Sequence, residues 1–362
     1  MNAEDQVGNI FKRVKRWVKS HRAQSIAILG AILIAAASIT TYAILSQPMP
    51  KPEQVTPAKP KPKPAVKYYS KLDGTEVKNE AAIQNPVTAI LIENSPDARP
   101  QSGVKQAQVV YEAIAEGGIT RFLCLYQQNT PGTIGPVRSL RMYYLDWAAP
   151  YQASIVHVGG SLYSLQEVSN GQYRNIDIEN HRGYSWRASD RYAPHNVYTS
   201  FEKLNELNSN LGFAQSNFAS FARVDDKASA QPNATSIDIK ISNNLYNSSY
   251  TYNPATNTYS RSQGGEAHID REDGPITPSV VLALKVDMST VMEDGYRQNI
   301  NTNGSGTAYL FQNGTAQEVT WQKTDRLSPL KVMDSTGAEV SLVRGQTWVS
   351  AVPNSNGAVT WQ

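Results

Sequence analysis

Between residues 93 and 141, arginines, carboxylates and glycines alternate with short apolar stretches that are typical of strands. Arg99, Arg121, Arg138 and Arg141 lie beside strand or turn signals rather than on the polar face of a helix. Arginine and glutamate are rarely buried unless they are paired. The pattern therefore predicts one inward-facing polar site, which indicates where the protein works rather than what it does there.

Anion binding is the chemistry that this stretch favours. Residues 135–141, Gly-Pro-Val-Arg-Ser-Leu-Arg, leave a strand and enter a helix, with Ser139 as its predicted N-cap. Free N–H groups at a helix start and guanidinium forks both match phosphate or carboxylate. We expect eight ligand-binding residues: Arg99, Gln101, Arg121, Arg138, Ser139, Arg141, Arg187 and Asn196. The open alternative is that the arginines form structural ion pairs with Glu93, Glu112 and Glu116.

Four residues are candidates for acid–base catalysis: Glu112, Glu116, His157 and His195. A carboxylate and a histidine together would support hydrolysis of a sugar or phosphate ester. The interpretation that these side chains have structural roles stays open, because spacing does not show that they meet. Ser139 is not surrounded by the G-x-S-x-G pattern of a nucleophile elbow.

Cysteine and histidine usage limits the other chemistry. Cys124, the only cysteine, lies in an apolar strand pattern, and we expect it to be a small buried hydrophobe. One cysteine excludes an internal disulfide framework and a multi-cysteine metal site. Without a His-Glu-x-x-His cluster, the sequence predicts neither a metal nor a cofactor.

The net charge of +3 is unevenly distributed. Residues 1–66 hold ten Lys/Arg and three Asp/Glu, whereas the remaining 296 residues hold 24 and 28. Nonspecific nucleic-acid binding needs clustered positive charge, so the mildly acidic body argues against a nucleic-acid partner.

The N-terminal segment predicts a membrane anchor. Residues 26–45 are 20 uncharged residues, about the length that crosses a bilayer as a helix. Six Lys/Arg precede them, which places residues 1–25 in the cytoplasm as a basic tail and the body outside, with the lipid bilayer as a partner. A cleaved signal peptide is the rival interpretation. Residues 46–66, with seven prolines and alternating lysines, predict an extended linker.

Two folded parts follow the linker. Apolar strands and helices alternate irregularly over 67–225, including a strand pair joined by Gly117-Gly118, a helix over 161–168 and a capping box at 199–202. Short strands dominate 226–362, with Asn313-Gly314 marking a hairpin. The predicted fold class is α+β: a mixed α/β sheet domain, then a small β-rich domain, after one transmembrane helix.

At these residues the chain resembles the YerB-like family of bacterial envelope proteins, catalogued as domain of unknown function 3048. The motifs that carry the resemblance lie at 99–103, 110–112, 116–122, 135–141, 157–160, 193–196, 259–261, 265–270 and 345–348. The resemblance spans about 68–355 and implies a two-domain body tethered to the outer face of a membrane. Family members typically carry a lipobox cysteine, which this chain lacks. The resemblance implies no established reaction.

From these observations we expect a membrane-anchored, extracytoplasmic protein that binds an anionic or glycan ligand of the cell envelope. Two alternatives stay open: a hydrolase or transferase of cell-wall polymer, and a scaffold for wall-synthesis proteins.

Overall fold

The computed structural model of the chain describes residues 3–48, 66–292 and 297–362. Two compact units form, Met1–Pro64 and Ala65–Gln362. Of the predicted linker at 46–66, positions 49–65 lie outside the described residues.

The described residues of the N-terminal unit form two helices, α1 (Ala3–Ser20) and α2 (Arg22–Leu45). Among the residues described, α2 is the one helix that is long and apolar enough to cross a membrane. It contains the whole predicted span of 26–45.

In the described part of the second unit there are three short α-helices and twenty-five strands, most of them also short. The helices are α3 (Met142–Ala148), α4 (Leu162–Val168) and α5 (Phe201–Asn210). The first ten strands are β1 (Tyr68–Tyr69), β2 (Glu76–Val77), β3 (Thr88–Glu93), β4 (Val109–Glu116), β5 (Ile119–Tyr126), β6 (Ser154–His157), β7 (Arg174–Asp177), β8 (Trp186–Arg187), β9 (Val197–Tyr198) and β10 (Arg223–Val224). The others are β11 (Ser236–Lys240), β12 (Ser248–Asn253), β13 (Thr258–Gln263), β14 (Glu266–Ala267), β15 (Ile269–Asp270), β16 (Gly274–Pro275), β17 (Val280–Val286), β18 (Met288–Val291), β19 (Arg297–Ile300), β20 (Gly304–Gln312), β21 (Thr315–Lys323), β22 (Lys331–Met333), β23 (Leu342–Val343), β24 (Thr347–Pro353) and β25 (Ala358–Trp361).

A ten-stranded mixed sheet is the centre of this unit, in the order β22-β21-β20-β17-β24-β4-β5-β3-β6-β7. Strand β24 pairs in parallel with β4, which sets Ser350 opposite Glu112. The two halves of the body, predicted as separate domains with a boundary at 225/226, thus share one continuous sheet. A second, antiparallel sheet has the order β14-β13-β12-β11-β25. The mixed α and β architecture confirms the predicted fold class.

Apolar side chains fill both faces of the large sheet. On one face, Leu91, Leu123 and Val349 join the residues of α3 in one core. On the other face, Ile92, Phe122 and Trp348 join α5 and the five-stranded sheet in a second core. Because successive side chains of a strand point to opposite faces, neighbouring apolar residues in the middle of β3, β4 and β5 alternate between the two cores. This alternation decides which of the polar candidates meet.

The two predicted hairpin turns are confirmed, whereas two predicted helix N-caps lie at other residues. The Gly117-Gly118 and Asn313-Gly314 turns both form, and both residues of each turn have positive φ, as tight hairpins require. The helix that follows 199–202 begins at Phe201, because the side chain of Ser200, not Thr199, caps it. Ser139 does not cap α3, whose N-cap position is Arg141 and has no side-chain cap bond. Those two cap assignments were wrong.

Candidate functional site

Glu112 lies at the centre of a buried polar cluster between the two sheets. Its carboxylate accepts hydrogen bonds from Nη2 of Arg261 (2.7 Å) and Nε1 of Trp348 (3.0 Å) on one oxygen, and from the hydroxyl of Thr120 (3.0 Å) on the other. The side chains of Glu112 and Arg261 have no exposed area. The Arg261 guanidinium also lies 4.2 Å from the Trp348 ring centroid. This ion pair joins residues that are 149 positions apart, and each buried charge has its counter-charge in contact.

The cluster closes into a ring of hydrogen bonds through His268, Gln101 and Asn94. Burial, followed by the charges of Arg261 and Arg99, lowers the pKa of His268 well below its usual value, so the imidazole of His268 is neutral. Because a guanidinium only donates, Nδ1 of His268 accepts from Arg261, and Nε2 therefore donates to Oε1 of Gln101 (3.2 Å).

The remaining bonds of the ring run through two amides. Nε2 of Gln101 donates to Oδ1 of Asn94 (2.9 Å), and Nδ2 of Asn94 donates to the Thr120 hydroxyl (2.6 Å), which returns the ring to Glu112. Each donor in this circuit meets an acceptor, which is the condition under which a buried polar network stabilises a fold.

Arg99 is attached to this ring and reaches the surface. Its Nε donates to Oδ1 of Asn94 (3.2 Å), and its Nη2 donates to the carbonyls of Asn94 (3.0 Å) and Leu245 (2.9 Å). The guanidinium also lies 5.3 Å from the ring centroid of Tyr246. Burial lowers the pKa of Arg99, and its hydrogen-bond partners are neutral oxygens. Among the described residues, no carboxylate contacts this guanidinium, and neutral oxygens hold its positive charge in place.

A cleft of about 610 Å³, here called the Arg99 cleft, opens beside this guanidinium. Its lining residues are Pro96, Asp97, Arg99, Pro100, Asp190, Arg191, Tyr192, His195 and Arg271. A neighbouring hollow of about 490 Å³ shares Pro96, Arg99 and Pro100 with it and reaches Gln101 and His268 of the buried ring. The buried network and the surface cleft thus meet at Arg99.

Arg191 and Arg271 contribute two more cations to the Arg99 cleft. Arg191 donates to the carbonyls of Asp97 and Pro100, at 2.7 Å each, and so clamps the loop that carries Arg99. Arg271 pairs with Asp190 across the surface at 2.6 Å. The lining therefore has three arginines against two aspartates.

His195 also lines the Arg99 cleft, and the carboxylate of Glu93 holds its imidazole in place. Its Nδ1 donates to Oε2 of Glu93 (2.9 Å), which also pairs with Nε of Arg138 (3.2 Å). Nε2 of His195 then faces the cleft, 3.9 Å from Asp97. A carboxylate that fixes one ring nitrogen leaves the other in a set orientation, which suits binding or proton transfer.

The family model described as "Protein of unknown function (DUF3048) N-terminal domain" matches residues 72–214, and the corresponding C-terminal domain matches 237–349. The chain belongs to this family. The predicted resemblance is confirmed.

Two similar proteins support the assignment. "Putative lipoprotein YerB" of Bacillus subtilis (strain 168) is 31% identical over 305 residues, which is 82% of this chain and 90% of that protein. The crystal structure of the YerB protein from Bacillus subtilis is 27% identical, with a TM-score of 0.72, and the match covers 81% of this chain and 99% of that one.

In this YerB-like chain, a second set of predicted residues lies on the opposite face of the sheet from Glu112. Glu116 accepts from Nη2 of Arg121 (2.9 Å) on one oxygen and from Nη2 of Arg141 (2.8 Å) on the other. Burial opposes ionisation of Glu116, but the charges and hydrogen bonds of Arg121 and Arg141 outweigh it and lower its pKa to about 2. Both arginines are almost fully buried. This trio matches the alternative of structural ion pairing.

The other predicted residues are dispersed. His157 is fully buried, and its ring nitrogens contact the carbonyl of Gly159 (2.8 Å) and Oδ1 of Asn175 (2.6 Å). The Ser139 carbonyl accepts from Arg121. Arg187 pairs with Glu179 and donates to Oδ1 of Asn196. Asn196 in turn donates to the carbonyls of Ala188 and Arg191, so it supports the loop that carries Arg191 and His195.

The predicted single site is therefore divided by the YerB-like sheet. Arg99, Gln101 and His195 come together at the Arg99 cleft or its floor, with Glu112 buried behind them. Sequence reasoning did not name Asn94, Arg191, Arg261, His268 or Arg271 as site residues. The signal for Arg261 and His268 was present, because both lie in the motifs at 259–261 and 265–270. Among the described residues, no cluster of three or more His, Cys, Asp or Glu is arranged to hold a metal ion.

Proposed function

We propose that this YerB-like chain is a membrane-tethered protein of the cell envelope whose extracytoplasmic body binds an anionic or glycan ligand in the Arg99 cleft. The apolar helix α2 supports the tether, and the basic residues that precede it favour a cytoplasmic N-terminus. The lipoprotein name of the Bacillus subtilis relative supports attachment to a membrane.

The observation that carries the binding proposal is the bonding of Arg99 and Arg191. The hydrogen bonds of Arg99 and Arg191 go to neutral carbonyl or amide oxygens, whereas the remaining predicted arginines pair with carboxylates, namely Arg121, Arg138, Arg141 and Arg187. A guanidinium that is fixed in position and lacks an anionic partner is ready to bind a carboxylate or phosphate group of a ligand.

Tyr192 favours a ligand with a sugar component. Its side chain is 90% exposed although it lines the cleft, so folding alone does not account for its position. An aromatic ring beside planar hydrogen-bonding groups provides a stacking surface and polar contacts together. Anionic glycans of the cell wall combine both features.

The test is titration of the full-length protein, purified in detergent, with soluble fragments of enzymatically digested peptidoglycan. We expect the Arg99→Gln variant to bind these fragments at least tenfold more weakly, since a charge-assisted hydrogen bond contributes about 1.5–3 kcal/mol. Tyr192→Ala should weaken binding without affecting the fold, because its side chain is exposed.

Arg182→Gln is the matched control, because Arg182 is an exposed arginine outside the cleft lining. Equal affinities for wild type, Arg99→Gln and Tyr192→Ala would contradict the proposal. The thermal midpoints of all variants must be compared, so that loss of binding is distinguished from unfolding.

The contact between His195 and Glu93 favours a second candidate function, hydrolysis or transfer of cell-wall polymer. A histidine held by a carboxylate and open to a cleft is suited to acid–base catalysis. Release of reducing ends from purified peptidoglycan, lost in His195→Gln but kept in His181→Gln, would support it. Absence of release between pH 5 and 8 would leave binding alone.

A further inference from the structure

Helix α1 has two chemically distinct sides. Its apolar side chains recur every three or four positions, and a step of 100° per residue places them within a sector of about 120°. They are Val7, Ile10, Phe11, Val14, Trp17 and Val18. Each of them is exposed, from 42% for Val18 to 72% for Phe11, so the structure leaves this stripe uncovered.

The opposite side of α1 is cationic. Five of its residues are basic, namely Lys12, Arg13, Lys15, Arg16 and Lys19. The acidic residues of α1, Glu4 and Asp5, are confined to its first turn. A helix with an apolar stripe and a lysine- and arginine-rich face has the pattern of helices that lie in the plane of a membrane interface.

The junction with α2 is consistent with this orientation. His21 alone separates the two helices, and its backbone (φ −126°, ψ 49°) departs from helical geometry. Trp17 and Val18, from the stripe of α1, line one hollow together with Ile26 and Leu29 of α2. The apolar side of α1 thus faces the same space as the first turns of the apolar helix. If α2 enters the bilayer, the stripe of α1 faces the acyl chains.

We propose that α1 is an in-plane membrane helix whose stripe enters the cytoplasmic leaflet and whose cationic face binds anionic phospholipid headgroups. This inference rests on the part of the proposed function that places α2 across the membrane. Charge as well as apolarity identifies anionic lipid as the partner of α1. Its five positive charges complement anionic lipid, whereas they would repel the same face of a second copy.

The test uses the full-length protein reconstituted in vesicles, with a single cysteine label at one of two adjacent positions. Phe11→Cys places an environment-sensitive dye on the stripe, and Lys12→Cys places it on the cationic face. Cys124 is buried and does not compete for the label. Ala36→Cys, in the middle of α2, is the control for membrane insertion.

With vesicles that contain phosphatidylglycerol, we expect lipid-borne quenchers to quench the dye at position 11 roughly threefold more strongly than at position 12, and aqueous iodide to show the reverse. The difference should decrease in vesicles of phosphatidylcholine alone, because the headgroup attraction is removed.

Three results would overturn the inference. Equal iodide access at positions 11 and 12, with Ala36→Cys quenched from the lipid, would leave the membrane span intact and remove α1 from the interface. Disulfide-linked dimers through Phe11→Cys without lipid quenching would show that a second copy covers the stripe. Failure of the Ala36→Cys control would remove the tether itself and with it this inference, without bearing on the Arg99 cleft.

Discussion

Removing the charge of Glu112 should destabilise the body strongly. Both members of its pair with Arg261 have no exposed side-chain area, and the carboxylate accepts three hydrogen bonds. Glu112→Gln leaves the Arg261 guanidinium buried without an anion and places an amide donor where acceptors stood. Breaking a buried pair by removing one partner costs about 3–5 kcal/mol.

The assay is thermal unfolding of the full-length protein in detergent, followed by tryptophan fluorescence. For a body of nearly 300 residues, a loss of this size lowers the melting midpoint by roughly 5–8 °C. Asp238→Asn is the matched control, because Asp238 is an exposed carboxylate on a strand of the smaller sheet; we expect it to change the midpoint by less than about 1 °C.

A double variant separates the charge effect from general disruption. Glu112→Leu with Arg261→Met removes both charges, and the paired loss should be clearly smaller than the sum of the two single losses, since no isolated charge stays buried. A Glu112→Gln loss below about 1 kcal/mol, or strict additivity in the double variant, would refute the reasoning.

Three further predictions concern pH, thiol chemistry and backbone space. Because folding lowers the pKa of Glu116 from 4.5 to about 2, its ionised form stabilises the fold at pH values above about 4.5. The free energy of unfolding of wild type should therefore exceed that of Glu116→Gln by about 2–3 kcal/mol at pH 7. In urea titrations, this difference should disappear as the pH falls from 5 to 2. Burial raises the pKa of Cys124, so a thiol reagent should modify it only after denaturation, and rapid labelling of the native protein would contradict its placement. Gly135→Ala should cost about 2 kcal/mol or more, because a Cβ would lie 2.8 Å from Tyr198 and φ is +151°, whereas Gly132→Ala, with open space around it, should be nearly neutral in the same melts.

Much of the fold could be predicted because its signals are local. The apolar run of α2, the glycines of the two hairpin turns and the alternation within β3, β4 and β5 each depend on residues a few positions apart. Cap assignments were less secure, since Thr199 and Ser200 are chemically alike and only the backbone decides which one caps α5. The amphipathic pattern of α1 was also present in the sequence, although the basic tail was read only for its charge.

The candidate site could be predicted only in part. The sequence identified Arg99, Gln101, Glu112 and His195 as candidate binding or catalytic residues, and the types of side chain set what each could bind. It did not determine which charges meet. Glu112 contacts Arg261, from 149 residues later, because β24 joins β4 in one sheet and the second sheet covers that face.

The tertiary structure also decided which arginines are free to bind. Strand alternation directs Glu112 to the same face as Val110 and Arg121 to the same face as Leu123, so residues that are close in sequence are separated by the sheet itself. The single carboxylate of Glu116 therefore pairs with both Arg121 and Arg141, whereas the hydrogen bonds of Arg99 beside the cleft go to neutral oxygens. Amino-acid types set the available chemistry, and the pairing of distant strands set which of those groups face solvent.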